Sequence, residues 1–155
     1  MIKKNSIILI ILFFLSNCGY TPMYSNNKNV NFYIEEINFN KGDIYLINQL
    51  KSNLKNYLKE KEGNKFIIDA DIQYNKKIVS RNNTGDISEY NLSSTAIFLI
   101  KFKDTSEKIS ISESFNMENL EDEFSEMQYE EAIKQNMAQS TITKLISILL
   151  RLNDN

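Results

Sequence analysis

The sequence has no histidine and no tryptophan, one cysteine, one proline and four glycines in 155 residues. Without histidine there is no Ser-His-Asp machinery and no imidazole zinc site, and one cysteine cannot close a disulfide within the chain. Scarce glycine and proline leave little of the chain to loops. Basic excess is also missing: 18 Lys and Arg stand against 20 Asp and Glu, a formal net charge of −2 at pH 7. Nothing therefore balances a phosphate backbone, which argues against nucleic acid as a partner. The length suits one domain plus a short leader, and a hydrophobic fraction of 42% with 25% charged residues is ordinary for a folded one.

What is present begins at the N-terminus. Lys3 and Lys4 precede an unbroken apolar run, Ile7 to Leu15, which Ser16, Asn17 and Cys18 close. As a helix that run spans ~14 Å, under half of the ~30 Å hydrocarbon core of a bilayer. Gly19, Pro22 and an Asn-rich stretch follow it, so the pattern predicts a signal peptide over residues 1–17 and not a membrane span. Leu15-Ser16-Asn17-Cys18 resembles a lipobox, with Asn17 where Gly, Ala or Ser is usual. The competing reading, a buried free thiol, would set a core residue between a secretion signal and a polar linker. Lipidation predicts a diacylglycerol on the Cys18 thiol and an acyl chain on its amine, each buried CH₂ contributing ~0.8 kcal/mol to an anchor that hardly dissociates. Gly19 after the cysteine, instead of Asp, fits delivery to the outer membrane. Residues 18–29 then form an acylated tether, reaching at most ~40 Å, ahead of a single domain over residues 30–155.

Within that domain, Val30 to Phe39 reads as a strand and Asp43 as a helix N-cap. Ile47, Leu50, Leu54, Tyr57 and Leu58 share one face of a helix predicted over Ile44 to Lys61, with Gly63 as its stop. Phe66, Ile68, Ala70, Ile72 and Tyr74 occupy even positions between polar odd ones, and Tyr90, Leu92, Ala96, Phe98, Ile100 and Phe102 repeat that parity. Two strands that match even with even need an odd loop, and Asn83-Thr84-Gly85 supplies one. Ile109, Ile111, Phe115 and Met117 are odd, so the next turn must be even. A turn at Thr105-Ser106, or a longer Asp104-to-Glu107 loop, pairs Phe102 with Ile109 and Ile100 with Ile111. That register points Glu113 inward opposite Phe98, which only a bulge or an edge position tolerates. The acidic ENLEDEFSE stretch over residues 118–126 leads into a helix from Tyr129 to Leu152. The sum is an α+β fold, order β-α-β-β-β-α, with two helices on one face of a four-stranded, mostly antiparallel sheet. If the first two strands run parallel, their crossover should be right-handed.

Chemistry is thinly supplied. Asp69 and Asp71 share an outward strand face, and Glu35 and Glu36 are neighbours expected on opposite faces; outward carboxylates of this kind are solubilising far more often than catalytic. No catalytic residue, metal ligand or cofactor follows. The outward face of the third strand is more informative, because Ile97 and Leu99 lie among small polar residues, with Ile67 and Val79 on the neighbouring strand. Exposed β-formers and a protein interface explain it equally well. Lys76, Lys77 and Arg81, with Lys101 and Lys103, form a modest basic group that could meet a phosphorylated sugar lipid, although such residues are usually only solvated.

Cys18-Gly19-Tyr20-Thr21-Pro22-Met23-Tyr24 resembles the mature start of alphaproteobacterial lipopolysaccharide-assembly lipoproteins of the LptE (RlpB) family, and the element order agrees over most of the mature chain. The resemblance implies a non-enzymatic outer-membrane lipoprotein that faces the periplasm. It would plug the lumen of a large LptD-type β-barrel, assist its assembly and bind lipopolysaccharide in transit to the cell surface. Two rivals share some of these features: another lipoprotein adaptor, such as a secretin pilot or barrel-assembly accessory, and a carboxylate-based periplasmic hydrolase.

Overall fold

The computed structural model describes residues 31–58 and 63–154. The expected signal peptide, Cys18, the tether and residues 59–62 lie outside the described residues. Strand β1 (Phe32–Lys41) leads through helix α1 (Ile44–Leu54) to β2 (Asn64–Arg81), β3 (Ile87–Phe102), β4 (Thr105–Glu118) and helix α2 (Glu123–Asn153). The strands form one sheet in the order β1-β2-β3-β4, with β1 parallel to β2 and the other pairs antiparallel. This is the α+β arrangement that the periodicity predicts.

The β2–β3 hairpin follows the parity rule from Phe66 to Ile78, and the register shifts only on either side of Ser80, near the tip. Phe66 faces Phe102, Ile68 faces Ile100, Ala70 faces Phe98 and Ile72 faces Ala96, all of them buried. Both helices pack on this even face: Leu46, Leu50 and Leu54 of α1, and Ile133, Met137, Leu145 and Leu149 of α2, complete one apolar core. At the hairpin tip the Asn82 N–H donates to the Asp86 carbonyl at 2.9 Å, which leaves the expected three-residue loop with Gly85 at φ 92°.

Three expectations need correction. Helix α1 stops at Leu54 and does not continue to Lys61. The chain turns there because Tyr57 is drawn onto β1, its ring stacked on Phe32 with centroids 6.2 Å apart and its carbonyl accepting the Ile34 N–H at 3.0 Å. Gly63 accordingly does not stop the helix; it precedes β2 where Asn64 donates to the Asn31 carbonyl. Second, the β3–β4 turn is Lys103-Asp104, so Phe102 faces Thr105, Phe98 faces Ile109 and Ala96 faces Ile111. The parity is the one expected, but the register is offset because Thr105 joins the ladder, its hydroxyl donating to the Phe102 carbonyl at 2.9 Å. Third, α2 starts at Glu123, where Asp122 caps it by accepting from the Ser125 N–H. The acidic stretch is thus partly the first turns of the helix, where its carboxylates meet the positive end of the dipole.

The new register resolves Glu113. It lies opposite Ser94 on the edge strand, and Ser140 and Lys144 of α2 donate to its carboxylate at 2.8 and 2.7 Å. A carboxylate that is only 11% exposed is therefore neutralised in place.

Gly42 joins β1 to α1 at φ 143°, and a Cβ there would lie 2.3 Å from the Ile72 carbonyl oxygen; a Cβ at Gly85 would meet nothing within 4 Å. Gly42→Ala should therefore destabilise the chain by about 2–4 kcal/mol and Gly85→Ala by only about 1 kcal/mol, read from urea denaturation midpoints; equal losses would contradict the packing at Gly42.

Candidate functional site

The face of the sheet that carries no helix is built from the odd residues of β2 and β3 and the even residues of β4. Its middle is uncharged and cross-linked by its own side chains. Thr95 and Ser112 hydroxyls lie 3.1 Å apart, and the Asn91 amide donates to Ser114 Oγ at 2.9 Å and Asn116 Oδ1 at 2.8 Å. Toward the β1 side Asp69 accepts from Lys101 at 2.8 Å and from Asn38 at 3.3 Å, and Lys65 meets Glu35 at 3.1 Å. Ile97 and Leu99 sit between these zones, half-buried, with Asp71 and Asp69 on one side and Ser110 and Lys108 on the other. The structure thus groups the two predicted interface residues on one surface, beside half-buried Ile67.

The basic residues are not grouped. Lys76 and Lys77 are neighbours in a strand and point to opposite faces. Lys77 is exposed on the open face opposite Asn91, and Arg81 is exposed at the hairpin tip, donating to the Gly85 carbonyl at 2.8 Å. Lys101 lies ten residues along β3 from the Asn91 level, roughly 33 Å at strand rise, and is already tied to Asp69. Glu35 and Glu36, expected on opposite faces, are both exposed, because the register shifts between Ile34 and Glu36.

Lys76 has a different occupation. It reaches under α2 to Glu126 and Glu130 at 2.8 and 2.9 Å, its ammonium 4.2 Å from the centre of the Tyr90 ring. Glu130 also accepts from the Tyr74 hydroxyl at 2.8 Å and pairs with Lys134, which bridges to the α1 cap Asp43 at 3.2 Å. Five charges from β2, α2 and the β1–α1 junction are thereby linked. A cleft of about 530 Å³ opens beside them, its lip formed by Tyr45, Phe124 and Met127. Among the described residues no group of three or more His, Cys, Asp or Glu side chains is placed to hold a metal ion.

The profile of the family described as LptE, lipopolysaccharide-assembly, matches residues 30–149, the whole of this sheet and most of α2. The chain belongs to that family. Solved structures agree in fold: the rare lipoprotein B of Shewanella oneidensis superposes with a TM-score of 0.55 at 12% identity, covering 76% of this chain and 98% of that one. A minor lipoprotein of Acinetobacter baumannii gives 0.52 at 14% identity, covering 80% and 91%. No curated protein matches the chain in sequence. No helix among the described residues of this LptE-family chain is long and apolar enough to cross a membrane.

The linked charges were open to sequence reasoning and were missed. Lys76 is an even residue of β2, so its parity places it on the inward face, and Glu126, Glu130 and Lys134 follow the four-residue spacing of one helix side. Burial and the Glu130 hydrogen bond push the Tyr74 phenol well above its ordinary range. Burial works against the Glu130 carboxylate, but hydrogen bonds from Lys76, Tyr74 and Lys134 outweigh it and hold its pKa below the usual carboxylate value. The lowered value fixes the sign: the stabilisation is present above the unfolded carboxylate pKa and is lost as pH falls through the folded one. Glu130→Gln should lower stability by about 1–2 kcal/mol near pH 7, and the difference from wild type should shrink as pH is lowered from 7 to 3. Urea titrations at the two pH values check this; an undiminished difference in acid would assign the loss to packing.

Proposed function

We propose that this chain is an outer-membrane lipoprotein, anchored through acyl chains on Cys18, that faces the periplasm and occupies the lumen of an LptD-type β-barrel. There it assists assembly of the barrel and transport of lipopolysaccharide to the cell surface, without catalysis of its own. Family membership supports the lipopolysaccharide context. The observation that carries the finer reading is the open sheet face. Its serine, threonine and asparagine side chains largely satisfy one another, so covering the stretch they occupy desolvates no charge, and neighbouring Ile97, Leu99 and Ile67 give it apolar contact area. Barrel lumens are polar and closed, and a surface of this character suits enclosure by one. A face meant only for water would carry more unpaired charge.

For lipid phosphates the exposed cations Lys77 and Arg81 are the better supported contacts, since Lys76 is held by two carboxylates. Cys18 contributes attachment alone.

Full-length chain tagged at the C-terminus and extracted from membranes in mild detergent should co-purify, in stoichiometric amount, with one large outer-membrane barrel identified by mass spectrometry. The double variant Ile97→Lys with Leu99→Lys, whose new charges lie opposite Asp71 and Asp69, should lower that recovery at least ~10-fold, as expected for charges forced into a covered surface, with the melting temperature of the free chain kept. Cys18→Ala should move the chain from the membrane pellet to the soluble periplasmic fraction. Recovery of a secretin, or of no barrel, would overturn the proposal.

A further inference from the structure

The two edges of the sheet are treated differently. At β1 the register shifts twice, between Ile34 and Glu36 and between Phe39 and Lys41, and the outer side of the strand is partly closed by the bond from Ile34 to the Tyr57 carbonyl. Bulges and covering segments are the usual means by which an edge is protected from pairing. At β4 the ladder with β3 runs from Thr105 to Glu118 without a register shift, and no backbone group of the described residues bonds its outer side. The stretch Ser110-Ile111-Ser112-Glu113-Ser114 holds no proline, glycine or lysine. Its one charge, Glu113, is drawn to Ser140 and Lys144.

Beside this edge runs a groove of about 540 Å³ between strand and helix. Ser110, Ile111 and Ser112 form one wall, and Thr143, Ser147 and Ile148 of α2 form the other. The two-residue turn makes Phe102 and Thr105 the hydrogen-bonded closing pair, so odd residues of β4 bond β3 while Lys108, Ser110, Ser112 and Ser114 direct their N–H and C=O groups outward. A strand edge with an adjacent helix-walled groove is the arrangement in which an added strand gains main-chain hydrogen bonds and sets alternate side chains into the groove.

We propose that the β4 edge is a strand-addition site for an extended, uncharged segment of a second polypeptide, which pairs with Ser110–Ser114 and sets an apolar side chain against Ile111 and Ile148. The unsatisfied main chain calls for another strand. The groove's hydroxyl and aliphatic walls, with Lys144 and Glu113 already paired, call for uncharged side chains. A second copy of this chain fits poorly. Any antiparallel self-pairing that keeps the faces matched and is centred from Ser110 to Ser114 sets Glu113 opposite Glu107, an apolar residue or another Glu113. The wall of a closed barrel has no free edge to offer, so the segment is a loop or terminus. This site stands whether or not a barrel surrounds the domain.

The test uses the full-length chain in its own membranes, with a photoreactive benzophenone side chain introduced in turn at Ser110, Ser112 and Ser114. Cross-linked sites, located by mass spectrometry, should fall on one continuous segment of another protein and advance by two residues at each step. Ser112→Pro removes one outward N–H at a position where an edge tolerates proline, and should reduce cross-linking from the other two positions at least ~10-fold. Ser147→Trp fills the groove from an exposed helix position and should do the same, which keeps the test decisive if the proline variant folds poorly. Cross-links without that stepping, cross-links to residues 18–30 of the same chain or to a second copy, or yields unaffected by both variants would overturn the proposal.

Discussion

The pairing of like faces along the β2–β3 hairpin is the constraint on which the rest depends. Because side chains alternate with a period of two, a slip of one residue along β2 would turn Phe66, Ile68, Ala70 and Ile72 out to water together and bring Ile67, Asp69 and Asp71 inward against the apolar set of β3. The odd loop at residues 83–85 sets the phase, and buried residues from Phe66 to Ile72 enforce it on the opposing strand. Once one face is apolar, both helices must cover it, and the other face is left for whatever the protein meets.

Helix α2 reaches beyond the apolar core. From Glu123 to Ala132 it buries no residue, and polar contacts from Lys76 and Tyr74 hold that portion to the sheet. A second polar contact, Glu113 with Ser140 and Lys144, attaches the middle of the helix to β4. These contacts explain why inward positions carry Lys76 and Glu113 against the hydrophobic pattern. They also remove Lys76 from the set of cations open to a lipid phosphate, which separates a residue that holds the fold from neighbours, Lys77 and Arg81, that face solvent.

Much of this was legible in the sequence wherever periodicity is strong. The element order, the inward sets of β2 and β3, the tip loop and the Asp43 cap all follow from local pattern and turn chemistry. Tertiary contacts decided what the pattern left open. Tyr57 leaves its helical face to stack on Phe32, which shortens α1, and the β-propensity of Thr105 moves a turn that parity alone leaves at several even positions. Ile97 and Leu99 stand out in the sequence because they are apolar residues on a polar parity. The charge cluster was overlooked although it obeys the same rule in reverse, a lysine on an apolar parity.

The functional picture is of a small domain with one sealed face, one open face on which uncharged polar side chains adjoin the aliphatic pair Ile97 and Leu99 and charges lie around them, and one regular edge. Membership of a lipopolysaccharide-assembly family gives this asymmetry a setting, and the division of labour among its lysines gives it a direct test. Lysine acylation rates should be measured residue by residue on the purified full-length chain and again in intact outer membranes. The account predicts that Lys76 and Lys134 react slowly in both, being largely buried and held by carboxylates, whereas Lys77 and Lys108, exposed on the open face, react readily in the purified chain and are protected in the membrane. Lys76 reacting as fast as Lys77, or open-face lysines equally reactive in both states, would contradict it.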